Sequence, residues 1–280
     1  MTISTSALTE LTGLAVSGAT AEDLMRPAAA AECLHDLDEH GVLVYRQIGL
    51  SDDELVAFSR TLGTVVVQPT GEHRLPEIQT ITMDPTKTNP VMASYRRGNF
   101  YWHIDGATLE VPQKATVLIA RTVDPAGGDT EFANTYAAYA ALSDARKAEI
   151  ADLRVRHSFA HAQSLGNPDA GPEERRAWQR VPDRTHPLVW TRRNGRRSLL
   201  LGATAAEVVG WPAQRGRALL DELLEWSTQP RFTLRHKWSV GDLVIWDNTG
   251  MLHRALPFAA TSVRRIHRTT IAGEESVSAA

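Results

Sequence analysis

Two residue types that hold divalent metals stand two apart in the stretch Tyr101-Trp102-His103-Ile104-Asp105. In extended backbone, residues i and i+2 project from the same face, so the His103 imidazole and the Asp105 carboxylate converge. A nitrogen and an oxygen donor on one face suit a borderline divalent cation. The pair alone is unspecific, because 10 His and 33 acidic residues in 280 give about one such spacing by chance, and one is present. A His and an Asp that pair or face water at a strand end are the competing reading, and partners elsewhere in the chain must decide.

His253 is the first such partner. It lies in "GDLVIWDNTGMLHRA", just beyond a strongly apolar strand, so its ring can emerge at the mouth of a barrel. Two His and one carboxylate on one face leave three metal positions open, an arrangement that suits ferrous iron in oxygen-activating enzymes. Arg264 follows eleven residues later, along the next strand. Its guanidinium can hold a distal carboxylate by two parallel hydrogen bonds, which a lysine cannot reproduce. Thr130, ending "GGDT", offers a hydroxyl to the same anion. Taken singly, either residue is as readily solvated or internally paired.

The elements that must position these groups alternate between strands and helices. Pro27 at its first turn and Gly41 past its end bound a helix over 27–40, followed by the strand "VLVYR". Ser51 and Glu54 have capping-box spacing for a second helix that ends at Gly63. Together these form an α/β shoulder over about 20–83. The segment 84–99 has loop chemistry and the position of a gate to the site. The strand "ATVLIAR" leads through "DPAGGDT" to a helix expected from Asn134 to about Ala151. Residues 160–184 are polar and broken by Gly and Pro, a second lid-like excursion. "PLVWTRRNGRRSLLL" is a hairpin with a primed turn at Asn194-Gly195 and a solvated, arginine-rich tip. A helix over about Ala213–Thr228 carries Leu219, Leu220, Leu223 and Leu224 on one stripe, and three strands close the chain. Many short strands with helices between them indicate a mainly β fold with inserted helices, a sandwich or jelly roll with helical decoration.

Composition bounds the function classes. A chain of 280 residues with 42% hydrophobic content, and no linker dividing it, reads as one domain over 1–280. A formal net charge of −3 supplies no basic field for nucleic acid or anionic membrane. Apolar runs such as "VLIA" and "LVIW" fall far short of the roughly 20 residues of a spanning helix. "MTISTSALTELTG" lacks a basic start followed by an apolar core, so no secretory signal is expected. Cys33 is the single cysteine, which excludes an internal disulfide; in "AAECLHDL" it reads as a buried, inert thiol in a cytoplasmic protein.

In order along the chain, "WHID", "GGDTEFANTYAAYAALS", "HPLVW", "GDLVIWDNTGMLHRA" and "RRIHRTTIAG" resemble the TauD/TfdA group of Fe(II)- and 2-oxoglutarate-dependent dioxygenases, over roughly Leu43 to Gly273. The resemblance implies a double-stranded β-helix with iron on His103, Asp105 and His253, and O2 as second cosubstrate. It implies that 2-oxoglutarate chelates the iron and places its far carboxylate on Arg264 and Thr130. Ungapped alignment from His253 through "HRTTIAG" puts Arg264, not Arg265, at the anchor position, and strand alternation turns Arg265 the other way. Arg268 falls where family members grip an anionic substrate group, and Asn99 matches a substrate-contacting amide. Where the taurine enzyme binds substrate with a His and a Tyr, this chain has Gln68 and Gly71, so taurine is not expected. From Gly128 onward the resemblance is closer to the aryloxyalkanoate branch, and "NFYWH" adds aromatic surface, so an organic acid with a hydrophobic body is expected. The implied reaction yields succinate and CO2 with hydroxylation, cleavage or desaturation of that small molecule. Assembly through surface helices is in keeping with the family, and no nucleic acid or membrane partner is expected. Asp247, Trp102 and Trp246 read as structural.

Two other classes fit the same three ligands. A zinc hydrolase would use them to activate water, leaving Arg264 without a role, and oxygen-independent turnover with zinc would identify it. A non-catalytic jelly-roll binding protein would keep the fold without retaining metal.

Overall fold

The apolar runs "ATVLIA" and "LVIW" become neighbouring central strands because each is buried on both faces. The computed structural model describes residues 3–67, 73–84, 86, 88, 94–259 and 261–278. Among these, the large sheet runs in the spatial order Ser4–Ala7, Leu14–Ser17, Val42–Tyr45, Leu243–Asp247, Ala115–Thr122, Arg265–Ile271 and Gln79–Thr82. A smaller sheet of Thr233–His236, Thr130–Asn134 and Met251–Ala255 packs over its centre. The outcome is the sheet-rich, helix-decorated jelly roll that the strand pattern predicts.

Period-two alternation sorts the core. Leu118, Ala120, Val244, Trp246 and Ile266 face the small sheet, where they meet Phe132, Leu234 and Met251. Val117, Ile119, Leu243 and Ile245 face the other way, onto Leu37, Leu55, Phe58 and Leu62 of the helices Ala29–His40 and Asp52–Leu62. On the last strand Arg268 shares the inner side with Ile266, whereas Thr269 turns outward and hydrogen-bonds Ser59 at 2.6 Å. The register of this strand against Ala115–Thr122 shifts by one residue between Arg265 and Ile266, a bulge placed next to Arg264.

The Ser51–Glu54 capping box forms as expected, and Gly41 ends its helix at φ 72°. Pro27 sits in the turn between the short helix Ala21–Leu24 and the helix from Ala29, not inside the latter. Three further expectations need correction. The helix drawn from Asn134 to Ala151 is two, Thr135–Ala140 and Asp144–Ile150, because Ser143 takes extended geometry and its hydroxyl caps the Arg146 amide at 3.2 Å. The excursion 160–184 contains helices Phe159–Gly166 and Pro172–Trp178, anchored by buried Trp178 and packed on residues 94–101 through Asn167 to Ser94 and Tyr101 to Leu165. The hairpin carries a three-residue loop: Gly195 N–H reaches Arg192 and Arg192 N–H reaches Arg196, with Gly195, not Asn194, at positive φ. Two of its arginines are not simply solvated but paired, Arg192 with Glu275 and the half-buried Arg196 with Asp38 while lying 3.9 Å from the Tyr136 ring centre. Gln68, Gly71 and much of 84–93 lie outside the described residues.

Candidate active site

His253 sits mid-strand in Met251–Ala255, and the segment bearing His103 adds to that strand's free edge. The two residues exchange both backbone hydrogen bonds, 3.0 Å and 2.9 Å, so their side chains leave the same side and the rings stand 4.1 Å apart. From behind, Gly202 admits the close approach: a Cβ there would lie 2.6 Å from the Trp102 carbonyl oxygen, and its φ of +100° suits glycine. Asp105 follows where the chain turns at Gly106, with Oδ1 3.9 Å from His103 Nε2 and Oδ2 3.6 Å from His253 Nε2. The ligand atoms of the three residues lie within 4.8 Å of one another.

The donor chemistry of this trio fits a cation. The His103 Nδ1–H donates to the Tyr101 carbonyl at 2.8 Å, which leaves Nε2 as a bare lone pair aimed towards a carboxylate. Burial lowers the His103 pKa and takes that of His253 well below the usual imidazole range, so both rings are neutral. Burial pushes the Asp105 carboxyl up, yet the adjacent Arg268 guanidinium above all holds it well below the ordinary range. Two lone pairs and a carboxylate facing one another are an acceptor cluster that a divalent ion completes. Asp105 Oδ2 already accepts from Thr116 Oγ1 and from Arg268 Nη2, both at 2.8 Å.

One cavity joins His103 and His253 to Asn99, Thr130, Arg264 and Arg268, with Ile81, Leu118, Trp246 and Ala255 as apolar wall. Arg264 is 3% exposed and, among the described residues, its guanidinium has no hydrogen-bond acceptor and no ion-pair partner. It lies over the Phe258 ring at 5.1 Å. Burial pushes its pKa down to about 10, so it remains a cation at neutral pH. The carboxylates of Asp129 and Asp124 favour its charged form from a distance, and the cavity provides the place for an anion in direct contact. Thr130 Oγ1 accepts the Trp238 indole N–H at 3.0 Å, which frees its own proton for that anion. Arg265 does not line the cavity. Arg268 does, but one of its nitrogens is committed to Asp105 and its Nε reaches Thr270 at 3.2 Å. Sequence reasoning missed Thr116, a strand threonine with no distinguishing spacing.

A second His/Asp/His set, Asp52, His73 and His267, lies behind the large sheet. There the Asp52 Oδ1 accepts from Arg121 Nη2 at 2.6 Å and lies 2.7 Å from His267 Nδ1, so the counter-charge is present and a divalent ion would face a guanidinium. Asp247 is buried with its pKa raised by desolvation and accepts from Thr249 N–H at 2.8 Å and from Tyr136 O–H at 3.2 Å, away from the trio. Cys33 is buried, its thiol pushed up to about 12 by desolvation, as an inert core residue requires.

Known proteins resemble this chain along nearly its whole length. The family described as "Taurine catabolism dioxygenase TauD, TfdA family" matches residues 5–270. An alpha-ketoglutarate-dependent 2,4-dichlorophenoxyacetate dioxygenase of Burkholderia sp. (strain RASC) is 34% identical, with 94% of this chain and 91% of that protein covered. An (S)-phenoxypropionate/alpha-ketoglutarate-dioxygenase of Sphingobium herbicidovorans is 31% identical over 84% of this chain and 83% of its own. The crystal structure of AAD-2 in complex with Mn(II) and N-oxalylglycine superposes with a TM-score of 0.84 at 33% identity, covering 99% of this chain and all of that one (100%). These likenesses exclude the zinc hydrolase and the non-catalytic jelly roll, and they establish an enzyme that uses Fe(II), 2-oxoglutarate and O2 on a small organic molecule. The chain belongs to the TauD/TfdA family of Fe(II)- and 2-oxoglutarate-dependent dioxygenases.

Proposed function

We propose that the enzyme oxidises a small organic acid with a hydrophobic body, of the aryloxyalkanoate type, in the cytoplasm. In this reading His103, Asp105 and His253 hold the iron. Arg264 and Thr130 seat the far carboxylate of 2-oxoglutarate, and Arg268 with Asn99 binds the anionic group of the substrate. The observation that carries it is the buried, unpaired Arg264 guanidinium sharing one cavity with the two imidazoles. The substrate class is supported by the relatives that act on phenoxyalkanoates and by the apolar wall of Ile81, Leu118 and Trp246.

Iron, when bound, supplies the redox chemistry by which substrate C–H, 2-oxoglutarate and O2 become substrate C–OH, succinate and CO2. The protein's own part is positional and electrostatic. Neutral imidazoles present lone pairs, and the carboxylate stays ionised beside Arg268. The apolar wall and the Phe258 ring keep the anchor arginine away from bulk water, which strengthens its grip on an anion. Where the hydroxylated carbon adjoins an ether oxygen, the product collapses and the bond is cleaved.

The test is O2-dependent succinate formation against aryloxy acids, alkanesulfonates, alkyl sulfates and simple carboxylates. Aryloxy acids should give succinate in step with oxidised product, and Arg268→Ala should uncouple the two while sparing the KM for 2-oxoglutarate. Preferential turnover of a sulfonate would overturn the substrate class. An unchanged substrate KM in Arg268→Ala would remove the role of that arginine.

A further inference from the structure

Behind Asp105 runs a chain of buried hydrogen bonds whose direction is forced from both ends. It begins at the Trp246 indole, which can only donate, and Nε1–H reaches Asn248 Oδ1 at 2.7 Å. That contact fixes the Asn248 amide, so its nitrogen must face the other way, and Nδ2 donates to Thr116 Oγ1 at 2.9 Å. With that lone pair engaged, the single proton of Thr116 goes to Asp105 Oδ2 at 2.8 Å, a carboxylate that can only accept. Trp246 is 2% exposed, and Asn248 and Thr116 are fully buried at 0%.

The chain is built into the sheet. Trp246 and Thr116 are directly opposed across neighbouring central strands, and Asn248 lies in the turn that leads from the Trp246 strand to the His253 strand. The Asn248 backbone N–H is itself tied to the Lys114 carbonyl at 3.0 Å. The Trp246 ring also packs against the His253 ring, centroids 4.5 Å apart. One indole therefore supports one imidazole by contact and the carboxylate by relay.

Asp105 Oδ2 receives two donors, Thr116 and Arg268, whereas Oδ1 receives none among the described residues. We infer that Thr116, locked by Asn248 and Trp246, is a positioning residue for the metal centre: it holds Oδ2 so that Oδ1 is the oxygen presented to the ion. A hydroxyl that served only to fill the sheet would not govern affinity at Oδ1. The inference rests on Asp105 being a metal ligand, and the controls test that premise separately.

The experiment is Mn(II) titration of the purified full-length protein by calorimetry, with thermal melts of the same metal-free samples. Thr116→Val keeps the shape and deletes the hydroxyl. It should weaken Mn(II) about 10- to 100-fold, the usual effect of losing a partner behind a metal ligand. Thr116→Ser keeps the hydroxyl and loses a buried methyl, so it should melt lower than the parent and still bind Mn(II) within a few-fold of it. Affinity would then follow the hydroxyl and not stability. Asn248→Ala, which unlocks the hydroxyl without touching Thr116, should lose several-fold in affinity and stands as the test should Thr116→Val not fold. Parental Mn(II) affinity in folded Thr116→Val, or in Asn248→Ala, overturns the role, provided Asp105→Ala has lost the metal. If Asp105→Ala binds as the parent does, the ligand assignment beneath the inference falls with it.

Discussion

A buried guanidinium with no carboxylate in direct contact is costly until an anion docks on it, and Arg264, which among the described residues feels Asp129 and Asp124 only at a distance, is in that position. Truncating one side of a buried charge-assisted pair removes about 2–5 kcal/mol. Arg264→Ala should therefore raise the KM for 2-oxoglutarate by roughly two orders of magnitude while Mn(II) affinity stays at the parental level. Arg264→Lys should recover little of the loss, because an ammonium cannot form the paired hydrogen bonds. A 2-oxoglutarate KM unchanged in both would move the anchor elsewhere. His103→Ala should show the opposite split and abolish Mn(II) binding. At this scale the sequence was legible where the family resemblance and period-two alternation agree: together they separated Arg264 from Arg265 and put Arg268 on the cavity side. Partners brought in by tertiary packing were not legible. Nothing local marks Thr116 or the Trp238 indole that frees the Thr130 proton, since threonine and tryptophan in strands are ordinary.

The approach of His103 to His253 depends on the backbone at Gly202 pressing against Trp102, where the Ala203 N–H also meets the Trp102 carbonyl at 2.7 Å. Gly202→Ala adds a methyl 2.6 Å from that carbonyl at a φ of +100°, and should cost about 2–4 kcal/mol. Gly171→Ala is the control: nothing lies within 4 Å of its Cβ, and the change should stay within about 0.5 kcal/mol. Urea unfolding of both variants checks this, and equal midpoints would show that the close approach is not under constraint. Helix starts announced by a capping residue were readable, as Ser51–Glu54 shows. The restart at Ser143 has the same chemistry, but the surrounding Ala, Leu and Ile continue one amphipathic stripe, and the stripe concealed the break. In 160–184 the Gly and Pro that suggested a loop are helix boundaries: Gly166 ends one helix and Pro172 opens the next.

Across the whole molecule, two sheets enclose the site while helices brace the outer face, and one half-buried charge cluster joins brace to sheet. Burial pushes the Asp52 carboxyl up, but hydrogen bonds and charge from His267 and Arg121 hold it down at about 2. A folded value below the unfolded one contributes stability that is complete above the ordinary carboxylate range, near pH 4, and is lost as pH falls towards 2. The loss amounts to about 2 kcal/mol, and Asp52→Asn should flatten the acid limb of a stability–pH curve measured by urea unfolding. Equal slopes in parent and variant would detach this cluster from acid sensitivity. The sandwich itself was legible because its central strands are uninterrupted apolar runs, and the seven-strand order was not, because register is a long-range property. The central claim is that His103, Asp105 and His253 meet around one Fe(II) beside a seat for 2-oxoglutarate. Anaerobic addition of Fe(II) and then 2-oxoglutarate to the purified protein should produce a visible metal-to-ligand charge-transfer band in the parent and none in His253→Ala. A folded parent that stays colourless under both additions, or a His253→Ala variant that gives the parental band, would contradict it.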